Sequence, residues 1–454
     1  MSPTSRQKPA FPQAGANPGF DTPSLHVPQS GSAMDGQSLS LGERITLRLP
    51  ATRHRDFRAL WGGTASSSVA LWTLLLGNAW IVYELSNSSF WVGVSTFASM
   101  SPYLLAPFGG VIADKFERRI LVRFTRLGAF GVTMTLFFLA LTDVIEVWMV
   151  VGMALVQGLV RAVEIPSDQA LLANVVPAED LASAVTLSST TQFGSRAVGP
   201  ILAGPLLATV GVAGAYAIGA VFSLVAFSSI RRIETRSRGG VGSLGEVVSH
   251  LREGLGYVRA TGPVLALFLL VVAHCSLTMS FDAMLPGVAE TELHSPSGGF
   301  TLMTMGVGIG ALVGTFALSV FPGGRRGRLF LWAGVASGLT PILMAHSHSV
   351  PIAVVNTILM GSSQAMFMAL SAVFLQEVVP DAVRGRVMSL YLMSAGGIMA
   401  MANLAFGSLA DAWGAPMLFM VPGAAFTVII ALAAVSVPHL RRVFRTGAVM
   451  PAAA

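Results

Sequence analysis

Six ionisable side chains stand inside long apolar runs, where a charge is costly and therefore informative: Arg161, Glu164, Asp168, Arg196, His274 and Asp282. Arg161, Glu164 and Asp168 fall at i, i+3 and i+7, so one helix face presents all three. Arginine at bilayer depth costs at least about 2.5 kcal/mol on insertion scales, so Arg196 must face protein and find an anion. The acids at 164 and 168 are its candidates. Two chemistries fit the group. One is a static ion-pair network that braces neighbouring helices. The other is proton coupling, with Glu164 protonated and released as Arg196 or Arg161 changes partner. His274 titrates near neutral pH wherever it reaches a cavity, though a hydrogen bond in packing serves a lone buried histidine equally well. Asp282 reads as an interfacial residue or as a further proton site.

The elements that hold these residues are membrane helices. Only 11% of the 454 residues are charged and 53% are hydrophobic, and the mean hydropathy is +0.69. A soluble domain carries about a quarter charged residues. Apolar runs near twenty residues recur from about Ala59 to Val437, which predicts an all-α, polytopic membrane protein. No strict alternation of barrel-strand length appears. Breaking the runs at charges, Pro and Gly gives twelve spans. The first six are about 59–84, 90–112, 120–142, 147–172, 184–209 and 212–230. The second six are about 264–286, 300–321, 328–345, 350–375, 387–410 and 415–437. Every Lys and Arg except Arg161 and Arg196 then falls on one alternating side, while Glu84, Asp143, Glu146, Glu290 and Glu292 fall on the other. By the positive-inside rule both termini are cytoplasmic, which requires an even number of spans.

Residues 1–56 are rich in Pro, Gly, Ser and Gln, with no signal-peptide core, and read as a disordered cytoplasmic tail. Residues 57–230 form a first six-helix half and 263–437 a second, with a tail at 438–454. The linker 231–262 places Leu244, Val247, Val248, Leu251, Leu255 and Val258 at helical spacing, an amphipathic helix for the inner leaflet. The halves repeat at an offset of 203. Leu172, Val175, Val176, Pro177, Leu187, Gly204, Leu206 and Gly211 match Leu375, Val378, Val379, Pro380, Leu390, Gly407, Leu409 and Gly414. Two pseudo-symmetric six-helix halves are one transporter architecture, with the substrate path between them.

Between spans 2 and 3 stands the charged turn "GGVIADKFERR". It resembles the signature G-x-x-x-D-[RK]-x-G-R-[RK] of the major facilitator superfamily, with Gly110, Asp114, Lys115, Arg118 and Arg119 matching and Glu117 replacing the usual Gly. Gly199, Pro200 and Gly204 resemble the exporter signature of span 5, from which Ser195 and Ala203 depart. "WIVYELSNSS", "IPSDQALLANVVPAEDLASA", "SRAVGP", "LREGLGYVRATGP" and "RGRVMSLYL" are similar to the enterobactin-exporter-like, transmembrane secretion effector branch. That resemblance implies the major facilitator fold and secondary active transport. It implies a conformational latch in which Asp114 meets the start of span 11, near Arg384 and Arg386, and a helix-5 motif that tightens the outer half against leak. Ordinary helix packing explains the same Gly and Pro. Asp114 sits at a helix C-terminus, where anions are disfavoured, and a helix N-terminus elsewhere is a suitable partner.

The expected activity is proton-coupled export of a small lipophilic or weakly charged molecule by alternating access. An uptake symporter or uniporter of the same fold and a non-transporting receptor or scaffold stay open as alternatives, since fold does not fix direction. No G-x-x-x-x-G-K-[ST] loop, metal-ligand cluster or nucleophile triad is present, so neither enzyme chemistry nor a cofactor or metal is expected. The one cysteine, Cys275, reads as packing. The expected partners are substrate, protons and the bilayer, without nucleic acid, for a monomer in a bacterial inner membrane.

Overall fold

In lipid a long apolar run satisfies its own backbone by forming a helix, and among the described residues of the computed structural model every regular element is helical. The structure describes residues 49–235, 237, 244–320 and 325–447; most of the expected N-terminal tail lies outside them. Span 1 is Arg55–Ser86, and span 2 runs as Ser89–Met100, a 3-10 turn Ser101–Leu105, and Ala106–Lys115. Spans 3 to 6 are Arg118–Leu141, Val147–Val175, Leu181–Val210 and Val212–Ile230. A linker helix, Leu244–Ala260, precedes span 7, which begins as Gly262–Leu277. Spans 8 to 12 are Pro296–Val320, Arg326–Ala345, Val350–Val378, Asp381–Trp413 and Ala415–Ser436. Gly211 and Gly414, matched in the repeat, both hold positive φ, +82° and +80°, at the turns after spans 5 and 11. A side chain would strain either turn.

Span 7 departs from the continuous helix expected at 264–286. Its 16 residues rise about 24 Å, short of a hydrocarbon core of about 30 Å. The chain unwinds after Leu277 and resumes as the short helix Leu285–Thr291. Polar side chains from elsewhere satisfy the released backbone. Gln364 donates to the Thr278 carbonyl at 2.7 Å and Asn403 accepts the Ala283 N–H at 3.2 Å. Asp282 lies within this unwound stretch.

The spans define two ends of the bundle, one basic and carrying the linker, the other acidic. At the acidic end a single apolar core joins both halves, from Leu74, Trp80 and Val132 to Phe281, Phe300, Met303 and Phe419. At the basic end the core divides. Phe57, Leu60, Leu171 and Ile230 belong to one half, and Leu267, Phe330, Phe374 and Val443 to the other. The halves are therefore closed at the acidic end and parted at the basic end.

The linker helix is bent 105° from span 7. Instead of lying free on the inner leaflet, it docks on span 11: Glu253 pairs with Arg386, and a Cβ at Gly254 would stand 3.2 Å from the Arg386 backbone. Part of the expected C-terminal tail is also a helix, Pro438–Thr446, which buries Leu440, Val443 and Phe444.

Spans 8 and 10 touch backbone to backbone through Gly306, Gly310, Gly314 and Gly361. A Cβ at Gly310 would lie 2.0 Å from the Ile358 carbonyl oxygen. Gly310→Leu is expected to destabilise the protein by roughly 1–3 kcal/mol or more through overpacking. Thermal unfolding in detergent measures this, and an unchanged midpoint would place the two helices farther apart.

Candidate functional site

At the parted, basic end a cavity of about 410 Å3 opens between spans 1, 4 and 5, lined among others by Thr64, Arg161, Asp168, Gln169, Ser189 and Gln192. Hydroxyls, amides and one charge of each sign share this lining with Leu60, Ile165, Leu172, Leu181 and Val185, a mixed surface. The helical spacing of 161, 164 and 168 turns that face of span 4 inward, as the sequence required.

The charges behind the vestibule form a quartet rather than the expected triad. Arg126 of span 3 is 1% exposed. Its Nη2 donates to Asp168 at 3.2 and 3.3 Å and to Thr64 Oγ1 at 3.0 Å, and its Nη1 donates to the Ala226 carbonyl at 3.2 Å. Its Nε lies 3.8 Å from Glu164. Glu164, fully buried, also accepts from Ser67 at 2.9 Å and from Arg161 at 3.3 Å. Two arginines thus face two carboxylates, and Asp168 borders the vestibule. By charge pattern Arg126 belongs to the basic flank of span 3. The signal against that reading is depth, since eight residues of helix carry it about 12 Å inward from Arg118. Space is provided by Gly63, where a Cβ would fall 2.2 Å from the guanidinium.

Arg196 does not pair with the span 4 acids. Its Nη2 lies 3.6 Å from Asp282 of span 7, and its guanidinium sits 4.9 Å from the Trp72 ring centroid. Both charged side chains keep some exposure, 19% and 29%. The physical reason is competition: Arg126 and Arg161 already occupy Glu164 and Asp168, while the unwound part of span 7 brings Asp282 to Arg196. This ion pair joins the halves. Beside it a cavity of about 50 Å3 is lined by Trp72, Thr96 and Met100 from one half and Asp282, Phe300 and Thr304 from the other.

His274 is placed elsewhere. It is fully buried inside the second half, where Nε2 meets Ser337 Oγ at 2.8 Å and the ring stacks on Phe367 with centroids 4.3 Å apart. It lines neither cavity, because its face of span 7 is turned toward spans 9, 10 and 12. Gly199 and Gly204 act at close helix contacts: a Cβ would lie 2.7 Å from Trp72 Cβ at the first and 2.1 Å from Thr301 at the second. Pro200 lies between them in span 5.

The turn residues expected to latch onto span 11 have other partners here. Arg118 donates its backbone N–H to the Ser237 carbonyl at 3.0 Å and Nη1 to Ser237 Oγ at 3.2 Å, while Arg119 donates to the Ile233 carbonyl at 2.9 Å. Both therefore tie down the start of the linker. Glu117 stands at the N-cap of span 3 and pairs with Arg119 at 3.4 Å. Arg384 pairs with Asp381 at 2.5 Å and Arg386 with Glu253. The Asp114 side chain lies outside the described residues, and Gly110 faces open space. The described side chains of the expected latch, Arg118, Arg119, Arg384 and Arg386, thus make contacts with the linker, the turn and span 11.

A family model described as transmembrane secretion effector matches residues 48–449. The staphyloferrin A transporter of Staphylococcus aureus is 23% identical over 358 residues, covering 78% of this chain and 89% of that protein. Macrolide efflux protein A of Streptococcus pyogenes is 24% identical over 396 residues, covering 84% and 94%. Among solved structures, a POT family transporter bound to a thioalcohol-conjugated peptide superposes with a TM-score of 0.67 at 12% identity, over 85% of this chain and 96% of that one. The human organic anion transporter MFSD10 (TETRAN) gives 0.60 at 15% identity, over 83% and 98%. Identities this low speak for the fold alone.

Proposed function

We propose that this chain, which belongs to the transmembrane secretion effector family of major facilitator transporters, exports a small lipophilic or weakly charged molecule in exchange for protons. The observation that carries this reading is the asymmetric core, shared by both halves at the acidic end and divided at the basic end. By the positive-inside rule the basic end is cytoplasmic, so both termini lie inside a bacterial inner membrane and the vestibule loads from the cytoplasm. A relative named for macrolide efflux supports the outward direction. The protein works as a monomer, its two halves sufficing to form the path.

The coupling follows from the pair that bridges the halves. Opening the acidic end separates Arg196 from Asp282 and leaves a carboxylate without its cation. On the outward journey the bound substrate replaces the lost contact. After release, a proton from outside neutralises Asp282 and permits the return. Arg196 then re-forms the pair and the proton leaves through the vestibule past Asp168. One proton moves in for each substrate moved out. Glu164, held from three sides, braces spans 3 and 4 with Arg126 and Arg161. His274 packs. When the basic end closes, Asp114 with Gly110, Arg118 and Arg119 engages the start of span 11, and Arg384 and Arg386 exchange partners. Gly199, Pro200 and Gly204 keep the outer half tight.

Energised inverted vesicles test this directly. A pH-sensing dye should report substrate-dependent proton release for at least one member of a compound panel. No response to any compound that the protein demonstrably transports would exclude the antiport.

A further inference from the structure

We infer that Asp411 holds the external end shut by capping the N-terminus of span 2 from the opposite half. The carboxylate uses both oxygens. Oδ1 accepts the Ser89 N–H at 2.7 Å, and Oδ2 accepts the Phe90 N–H at 3.1 Å and the Ser88 hydroxyl at 2.5 Å. The first N–H groups of a helix lack intrahelical partners, and an N-cap serine normally supplies one through its own oxygen. Ser88 occupies that position yet makes no side-chain cap. Its hydroxyl instead donates to Asp411. A local cap is present in the sequence and is displaced by a carboxylate from the other half.

For its own helix Asp411 is badly placed. It lies in the last turn of span 11, at the negative end of the helix dipole. Its favourable field comes from span 2. The backbones approach closely enough for a short side chain to reach: a Cβ at Gly407, one turn before Asp411, would lie 2.4 Å from the Ser89 carbonyl oxygen, and one at Gly93 would lie 2.8 Å from that of Asn403. Asp411 is solvent-exposed, which keeps the contact weak enough to release. Because spans 2 and 11 belong to different halves, parting this end uncaps three donors together.

The cap is also one-sided. At the repeat offset of 203, Asp411 corresponds to Ala208 of span 5, so the crossing of spans 5 and 8 has no equivalent carboxylate. With the proposed latch at Asp114, the pair of spans 2 and 11 would hold one capping acid at each end, engaged in turn. The inference requires alternating access but neither proton coupling nor any particular substrate.

The test measures distance rather than transport. Cys275, buried and the sole cysteine, is replaced by serine. Spin labels go on Thr142→Cys and His348→Cys, exposed positions in the acidic-end turns of the two halves. Double electron–electron resonance in liposomes, without substrate or gradient, should show mainly the closed distance. Asp411→Asn should raise the ratio of open to closed by about tenfold, equivalent to ~1.4 kcal/mol. Ser89→Pro removes a capping N–H at the first helical position, where proline is tolerated, and should produce a similar shift. The double variant should add little, since both changes break one contact. Distributions in both single variants that superimpose on the parent would overturn the latch. If Asp411→Asn fails to fold, Ser89→Pro alone decides.

Discussion

Replacing Arg126 with leucine is expected to destabilise the protein by about 3–5 kcal/mol, the penalty of removing one partner from a buried ion pair. Arg126 is shielded from water and contacts Asp168, Glu164, Thr64 and Ala226 at once. Its loss leaves two carboxylates to share Arg161. Arg161→Leu should cost less, because Arg161 borders the vestibule and water can take its place there. Arg126→Lys should rescue only part of the loss, since an ammonium on a flexible stem cannot reproduce a planar fork directed at several acceptors. The informative variant is Arg126→Leu combined with Glu164→Gln and Asp168→Asn. Removing the stranded charges should recover most of the stability, a non-additivity that reversible unfolding in mixed micelles can measure. Additive losses would show that the three residues do not form one network.

How much of this was legible in the sequence depends on the range of the interaction concerned. Run lengths and the sidedness of Lys and Arg predict twelve spans without any tertiary information, against 11 to 12 candidate spans among the described residues of the structure, and the paired Gly211 and Gly414 mark equivalent turns. The break in span 7 is not legible, because Gln364 and Asn403, remote in the chain, stabilise the unwound backbone. The inward face of span 4 follows from spacing alone. Its partners do not. Periodicity shows that Glu164 and Asp168 need cations, but the choice of Arg126 over Arg196 is decided by how spans 3, 4 and 5 are rotated. His274 illustrates the same point: its depth is evident, while the face of span 7 it occupies depends on Ser337 and Phe367. The proposed latch at the charged turn would need the basic end closed, which no local pattern in the sequence reveals. Asp411 looks like an ordinary loop acid until the approach of span 2 is known.

Asp282→Asn is expected to separate substrate movement from proton movement, lowering gradient-driven accumulation at least about tenfold, ~1.4 kcal/mol in transport free energy. Asparagine keeps the size and hydrogen-bonding capacity of the carboxylate but cannot take up a proton. Arg196 remains over Trp72 at 4.9 Å, a cation–π contact that helps hold the guanidinium in place. Since the pair keeps some exposure and is 3.6 Å apart, its loss should cost less than the roughly 3–5 kcal/mol of a fully buried pair. The fold should therefore survive while the coupling fails. Liposomes containing the variant should still exchange labelled for unlabelled substrate down its gradient, because a permanently neutral residue 282 never blocks the return. They should neither accumulate substrate against a gradient nor alkalinise or acidify on its addition. Arg196→Gln tests the other side of the pair. It leaves Asp282 unneutralised beside a mainly apolar cavity, so the closed acidic end loses a bond between the halves while the carboxylate itself stays in place. That variant should still take up a proton but release it less readily and occupy the closed state less, whereas Asp282→Asn should lose proton uptake altogether. If both lose the same function to the same degree, the pair is a brace between the halves, and the proton site must be sought at Asp168, where a carboxylate borders the vestibule.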